Sequence, residues 1–210
     1  MRDDATVMPS GSSKRKKIVF TALGILVVAG VGVALLLPDQ KPTLSIPDTV
    51  CAEAVPSAHV KALLPEKGEA FEEERAINFM ADAKGPGTCD LSGGGRILEI
   101  KYGTIQDPEY DREWVQRNAS KPDNTPLSLG PAGGYLGSYG AEVFVDCPYA
   151  KGRKDLLRVS VGIGGVPKIK DDAMKADVSG LAADVARAVA RDVVGCEGAA
   201  DLPDSAPKIG

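Results

Sequence analysis

An uninterrupted apolar segment near the amino terminus constrains this chain more than any other feature. Residues 18–37 are twenty consecutive residues without a charged side chain. At a rise of about 1.5 Å per residue, a helix of this length matches the roughly 30 Å hydrocarbon core of a bilayer. The sequence therefore predicts a single transmembrane helix over residues 18–37, with the lipid bilayer as the first expected partner.

The charges on either side of this segment predict its orientation. Four consecutive basic residues, 14–17, precede it, whereas Lys41, the first positive charge after it, follows an aspartate. Because positive charge near a membrane span stays on the cytoplasmic side, we expect residues 1–17 in the cytoplasm. Their polar composition predicts a disordered tail that is too short to bury a core. Everything after Pro38 is expected to be extracytoplasmic.

A cleaved secretory signal is the alternative interpretation of the apolar segment. The apolar region of such a signal runs for about 7 to 15 residues and ends at a small-x-small site, and Gly32-Val33-Ala34 has that form. The apolar run continues through Leu37, past that site, which favours an uncleaved anchor. Both interpretations export the remainder of the chain.

The exported part divides into a tether, one domain and a tail. Residues 38–47 hold three prolines among polar residues and are predicted to form an extended tether. Residues 48–197 suffice for one globular α+β domain. Residues 198–210 have no apolar period and are predicted to be a disordered tail. The chain is acidic, with net charge −4, which argues against a nucleic acid as partner.

All four cysteines lie beyond the predicted anchor, in a compartment where disulfides persist: Cys51, Cys89, Cys147 and Cys196. Four cysteines allow three pairings, and the sequence alone does not choose among them. Their order favours 51 with 89 and 147 with 196, because each pair then lies within one half of the domain. Structural zinc sites bring cysteines in close pairs, and the wide spacing here predicts no metal.

Alternation of apolar and polar residues predicts strands in hairpins, with helices between them. The predicted elements are a short helix from Pro56 to Leu64, a strand over 71–80, a hairpin of strands 89–91 and 96–105, a helix from Asp107 to about Asn118, a Pro/Gly-rich loop, a hairpin of strands 141–147 and 156–163, and a final helix from Val178 to Cys196. This order predicts an α+β fold in which an antiparallel sheet of hairpins is covered by helices.

The arrangement of the cysteines resembles that of a known group of proteins. Cys51 precedes a short helix that ends Leu63-Leu64-Pro65, Cys89 stands in Thr88-Cys89-Asp90-Leu91 before a strand, Cys147 ends a strand, and Cys196 closes the last helix. In these features, and in an Ala-, Gly-, Val- and Asp-rich composition, the chain looks like the membrane-anchored envelope domains of unknown function found in actinobacteria, many of them lipoproteins. The resemblance implies a location and a fold rather than an activity.

The sequence offers no recognisable catalytic set. His59 is the only histidine, so any mechanism that moves a proton through an imidazole would depend on it, and no G-x-S-x-G element accompanies it. Two acidic clusters, 72–74 and 107–113, could supply the paired carboxylates of a glycoside hydrolase. They are better explained as a solvated surface and a helix start. We therefore expect no enzyme, no catalytic residue and no cofactor.

A glycine-rich stretch over residues 130–140 is the candidate binding loop. Tyr135 and Tyr139 lie in it, and amphipathic tyrosine rings on an adaptable backbone suit contact with a ligand or a protein. Packing of both rings at the edge of the sheet is the alternative. We expect an extracytoplasmic binding or interaction domain for an envelope protein or a small ligand. An envelope hydrolase and a purely structural component are the alternative functions.

Overall fold

The computed structural model describes residues 41–81, 83, 85–148, 155–166 and 168–210. The predicted cytoplasmic tail and the predicted membrane helix over 18–37 lie outside these residues. In the described part of the chain, no helix is both long and apolar enough to span a bilayer. The described residues have the predicted α+β architecture, with helices packed on a large antiparallel sheet.

Ten strands lie in the described residues: β1 (Thr49–Val50), β2 (Val55–Pro56), β3 (Glu72–Ile77), β4 (Gly87–Gly93), β5 (Arg96–Ile105), β6 (Thr125–Leu129), β7 (Ala132–Leu136), β8 (Gly140–Asp146), β9 (Leu156–Gly164) and β10 (Lys208–Ile209). The α-helices there are α1 (Ala58–Leu63), α2 (Arg112–Ala119) and α3 (Asp172–Ala188). A π-helical turn, Val189–Val193, continues α3, and a 3-10 helix spans Glu197–Asp201.

Eight of these strands form one sheet, in the order β10-β6-β7-β8-β9-β5-β4-β3, while β1 and β2 pair with each other. All neighbouring strands are antiparallel. The two predicted hairpins are present as β4–β5 and β8–β9. The two halves of the chain join where β5 pairs with β9, from Ile97 opposite Gly164 to Ile105 opposite Leu156. This pairing turns two local hairpins into a single sheet.

One face of the sheet, the covered face, is buried under helices. On β5 and β9, the side chains of Leu98, Ile100, Val159 and Val161 point to this face and are at most 1% exposed. α3 packs across β8 and β9 there, and α1 packs on α3. Leu181 of α3 belongs to the same core. Removal of this apolar layer from water is the main source of the fold's stability.

The opposite face, the open face, is covered only near one end. α2 lies over β6 and β7 on this side and forms a small second core, in which Val115 packs with Phe144 and Leu156. On the central strands, the open-face residues are mostly polar and exposed, as period-2 alternation requires for a sheet with one solvated face.

α2 begins later than the sequence predicts. The carboxylate of Asp111 accepts a hydrogen bond from the backbone N–H of Trp114 at 2.8 Å, which caps a helix that starts at Arg112. Asp107, the predicted cap, instead accepts from the backbone N–H of Glu109 at 3.0 Å and closes a turn. An aspartate suits both positions, so residue preference alone did not separate them.

The predicted Pro/Gly-rich loop contains the hairpin of β6 and β7. The two adjacent glycines of β7 carry no side chains, so the alternation that identifies a strand is missing there. Gly134 of β7 lies so close to β8 that a Cβ atom there would overlap the backbone of Glu142. The position of β7 in the sheet therefore requires glycine at position 134. The same glycines hide the strand from a search for alternating residues.

The carboxyl-terminal segment is structured, contrary to the prediction of a disordered tail over 198–210. Leu202 is 2% exposed, and β10 pairs with β6 at one edge of the sheet. Arg187 and Arg191, at the end of the last helix, donate hydrogen bonds to backbone carbonyls within residues 199–205. These arginine side chains bind backbone carbonyls, which every residue has. Such contacts produce no periodic pattern of apolar residues, so the sequence did not reveal that this segment is structured.

The domain also begins earlier than predicted. Within the predicted tether, Thr43 forms an isolated bridge with Lys67. Leu44 and Ile46 pack against the core. A proline-rich segment can run extended along a domain surface as readily as through solvent, so composition alone could not fix this boundary.

Both predicted disulfides are confirmed. Cys51 pairs with Cys89, with Cα atoms 5.5 Å apart, and Cys147 pairs with Cys196, with Cα atoms 4.7 Å apart. The paired residues are 38 and 49 positions apart in the sequence, and in the chain-entropy account each bond stabilises the fold by about 4 kcal/mol. The first ties the β1–β2 turn to β4, and the second ties the end of β8 to the segment that follows α3.

The turn between β1 and β2 is held in a left-handed conformation. Cys51, Ala52 and Glu53 have φ angles of 55°, 55° and 67°, and this region costs a residue with a side chain about 1–2 kcal/mol. The carboxylate of Glu73 on β3 accepts hydrogen bonds from the backbone N–H groups of Cys51 at 2.8 Å and Ala52 at 2.9 Å. The disulfide and this carboxylate together hold a turn that would be unfavourable alone.

We expect Ala52→Gly to leave the free energy of unfolding unchanged or to raise it by up to about 1 kcal/mol, because glycine adopts positive φ without strain. Ala54→Gly, in the same turn but without a positive φ, is the control and should lower it by about 1 kcal/mol. Denaturant unfolding under matched conditions measures both changes. An equal loss in the two variants would show that the left-handed turn is not strained.

Candidate functional site

The pairing of β8, β9 and β5 places polar residues from distant parts of the chain side by side on the open face. Glu142 lies opposite Ser160, and Ser160 lies opposite Lys101, so the three form one row across three strands. Arg158 lies in the next row, opposite Phe144. Because side chains alternate along a strand, all five point away from the covered core.

Four aromatic rings form a continuous cluster beside this row. The ring centroids are 4.7 Å apart for Tyr110 and Trp114, 5.8 Å apart for Trp114 and Phe144, and 6.1 Å apart for Phe144 and Tyr135. Each separation lies within the range of favourable aromatic pairs. Tyr110 is 36% exposed, so one end of the cluster faces solvent.

A hydrogen-bond network links the rings to the charged row. The hydroxyl of Tyr135 donates to Glu142 Oε2 at 2.9 Å. Arg158 donates to the same oxygen from Nε at 3.1 Å and to Oε1 from Nη2. The two residues therefore form a bidentate ion pair. The hydrogen bond to Glu142 raises the pKa of Arg158, while partial burial opposes that shift. The guanidinium of Arg158 therefore lies between the aromatic cluster and the central strands.

A shallow depression of about 430 Å³ continues from Arg158 over β5 and β9. Lys101 Nζ lies 2.6 Å from Glu99 Oε1 there, and both side chains are about half exposed. The depression is lined by charged, small and apolar residues: Glu99, Lys101, Gly103, Ile105, Arg158 and Ser160. We call this depression, together with Glu142 and the four aromatic rings, the open-face site.

Of the two tyrosines that the sequence singles out, only Tyr135 belongs to the open-face site. It lies on β7 rather than in a loop, and its ring is part of the aromatic cluster. Tyr139 lies in the turn between β7 and β8, is 53% exposed, and forms no ring pair with the described aromatic residues. The structure therefore does not bring the two predicted binding residues together.

Trp114, Glu142 and Arg158 were not predicted as site residues. The signal for two of them was present, since alternation in the predicted hairpin of strands 141–147 and 156–163 puts Glu142 and Arg158 on its polar side. The connection between these strands is too long to fix their register, so their pairing could not be derived. Nothing in the sequence indicated that α2 would bring Trp114 to the same face.

His59 lies away from the open-face site, between α1 and α3. Its Nδ1 is 3.0 Å from Asp177 Oδ1, and its ring lies against Gly180, where a Cβ atom would overlap it. Burial raises the pKa of Asp184, further along α3, while the charges of His59 and Arg187 oppose that shift. In the described part of the chain, no hydroxyl or free thiol forms a hydrogen bond with His59. These contacts explain His59 as a residue that packs two helices together.

Within the residues that the structure describes, no group of three or more His, Cys, Asp or Glu side chains could hold a metal ion. Comparison of the chain with protein-family models, with curated proteins and with solved structures finds no match. What the chain can do must therefore be inferred from the chemistry of the open-face site.

The pKa of Tyr135 is raised well above its ordinary value, first by burial and then by the hydrogen bond to Glu142. The folded state thus favours the protonated phenol. The resulting stabilisation is complete below the ordinary tyrosine pKa of about 10 and is lost as the pH rises toward the higher folded value. We expect the free energy of unfolding to fall more steeply between about pH 9.5 and 11 in the parent than in Tyr135→Phe.

The matched control for this experiment is Tyr139→Phe, which removes the hydroxyl of an exposed ring and should keep the parent's pH slope. Urea unfolding at a series of pH values measures all three proteins. A slope in Tyr135→Phe equal to that of the parent would contradict a buried hydrogen bond between Tyr135 and Glu142.

Gly180→Ala should destabilise the parent protein by roughly 1 kcal/mol, because overlap with the His59 ring outweighs the better helix propensity of alanine. In a His59→Ala background, the same change should instead stabilise the protein by up to about 1 kcal/mol, since no ring remains to be displaced. The sign change in this double-mutant cycle is the test. The same sign in both backgrounds would contradict the packing of His59 on Gly180.

Proposed function

We propose that this chain is a membrane-anchored binding protein of the cell envelope and that its ligand or partner docks at the open-face site. The observation that supports this most is the convergence of charged and aromatic groups from α2, β5, β7, β8 and β9 on the face of the sheet opposite α3, which α2 covers only near one end. Aromatic residues and arginine are the types that contribute most to binding at protein surfaces. Phe144, Trp114 and Tyr135 also pack in the small core under α2, whereas Glu142 and Arg158 belong to neither core.

Hydrogen bonds fix the position of the central carboxylate of the open-face site. Glu142 is fixed by hydrogen bonds from both Tyr135 and Arg158, and its side chain is only 18% exposed. A surface whose side chains are already fixed loses little conformational freedom on association. The network also stabilises the fold, because Glu142 is mostly buried, but the half-exposed guanidinium of Arg158 keeps donors open for recognition.

The proposed location rests on the sequence. The apolar segment over residues 18–37 is long enough to span a bilayer, and the basic residues 14–17 orient it with the domain outside the cytoplasm. Two disulfides suit an oxidising compartment and are compatible with this placement. The resemblance to actinobacterial envelope domains points to the same location.

A hydrolase and a structural component remain the alternative functions. A hydrolase at the open-face site would need a carboxylate or an imidazole free to transfer a proton. The carboxylates of the site, Glu99 and Glu142, are both paired with cations, and the only imidazole packs between α1 and α3. This arrangement suits hydrogen-bond recognition better than proton transfer.

Site-specific crosslinking of the full-length protein in its native membrane tests the proposal. A photoreactive amino acid in place of Ser160, at the centre of the open-face site, should give a discrete adduct after illumination. The same amino acid in place of Asp192, an exposed residue beyond α3, is the control and should give none. Adding Arg158→Gln should remove the adduct at position 160.

Two results would contradict the proposed function. The same adducts from positions 160 and 192 would indicate random collision rather than a site. No adduct from position 160, with the protein folded in the membrane, would favour a structural component. Adduct identity is read by mass spectrometry after isolation through an affinity tag.

A further inference from the structure

We infer that the ligand of the open-face site is a neutral carbohydrate, a conclusion that rests on the proposed function and names its ligand class. Three features of the site favour this chemistry. Its charges are paired with each other, its hydrogen-bonding groups remain accessible, and the partly exposed ring of Tyr110 gives the site an aromatic edge.

The charges of the open-face site are paired internally. Arg158 holds Glu142 through two nitrogens, and Lys101 holds Glu99. An anionic ligand would have to compete with these carboxylates for their cations, and it would approach a chain with net charge −4. A cationic ligand would have to displace Arg158 or Lys101 in the same way. An uncharged ligand meets neither cost.

The same pairs still offer hydrogen bonds to a polar ligand. A guanidinium has five N–H donors and a carboxylate has about four acceptor positions, so the pairing of Arg158 with Glu142 uses only part of the capacity of each. The side chains of Arg158 and Lys101 are 48% and 55% exposed, and Ser160 lies beside them in the depression. Neighbouring sugar hydroxyls both donate and accept, so they can bind such a pair without separating it.

The aromatic edge supplies the apolar half of sugar recognition. Tyr110 is partly exposed and lies at the end of the ring cluster, which reaches Glu142 and Arg158 through Tyr135. One face of a sugar ring presents C–H groups, which can pack on an aromatic ring while the hydroxyls at its rim reach the charged pairs. The small residues Gly103 and Ser160 line the bottom of the depression and leave room for a sugar ring. A lipid chain would instead cover these charges without hydrogen bonds, which is unfavourable.

Trp114 provides a specific signal for the test, because it is the only tryptophan in the chain and belongs to the site. The full-length protein, in a detergent without a sugar headgroup, is titrated with neutral hexasaccharides of glucose, mannose, galactose and arabinose. A hexamer of galacturonic acid is the charged counterpart of the same length. We expect a saturable change in Trp114 emission with at least one neutral probe and no change with the acidic one.

A pair of matched variants locates the binding. Arg158→Gln keeps a polar side chain but loses the bidentate ion pair with Glu142. It should lower the affinity for the neutral oligosaccharide by about tenfold or more. Arg75→Gln removes an arginine that pairs with Asp90 at 3.4 Å on the same face, but on the edge strand β3. It should leave binding unchanged. Circular dichroism and the Trp114 spectrum without ligand show that each variant is folded.

Each outcome bears on a different conclusion. Binding of the acidic hexamer alone, with the same response to the variants, would overturn the neutral class but keep the open-face site as a binding surface. No response to any probe, with the crosslink at position 160 intact, would overturn the carbohydrate class, while loss of that crosslink would overturn the proposed function. Equal weakening by Arg158→Gln and Arg75→Gln would overturn the location.

Discussion

The antiparallel pairing of β5 with β9 is the interaction on which the rest of this domain depends. Each half of the chain supplies a hairpin and a disulfide, and neither hairpin could bury an apolar face alone. The ladder from Ile97 to Ile105 joins them into a sheet wide enough to support α3. Ile105 and Leu156, which pair at one end of this ladder, are far apart in the sequence, so the pairing carries a closure cost. Each disulfide restricts the half of the chain in which it lies and reduces that half's freedom in the unfolded state.

The same ladder determines what the open face can present. Lys101 and Glu99 come from one half, whereas Arg158, Ser160 and Glu142 come from the other. A shift of one residue in the register would exchange the two faces and bury these charges against α3. The covered core therefore enforces the geometry of the site: the apolar residues that must face α3 leave the alternating polar residues in fixed rows on the other side.

Local pattern was sufficient for the hairpins, for α3 and for the cysteine pairing, since each depends on residues close in sequence or on their order. It failed for β7, whose adjacent glycines remove the alternation and which is held by pairing with β8, and with it for β6, whose partner strand was therefore not recognised. It also treated Tyr135 and Tyr139 as equivalent, although a position on a strand and a position in a turn give them different surroundings. The packing of Trp114 on Phe144 depends on tertiary structure, for which one sequence contains no direct signal.

The two edges of the sheet are protected by different means, and this affects how the protein behaves at high concentration. Along β3, consecutive glutamates make pairing with another strand unfavourable. β6 has no such charges, and it is β10 that occupies its outer edge. That strand is held near the sheet by arginines bound to the backbone before it. Solubility of the domain thus depends on Arg187 and Arg191. If their hydrogen bonds to the carboxyl-terminal segment are lost, β10 can leave the sheet, and the uncharged edge of β6 becomes available to a second molecule.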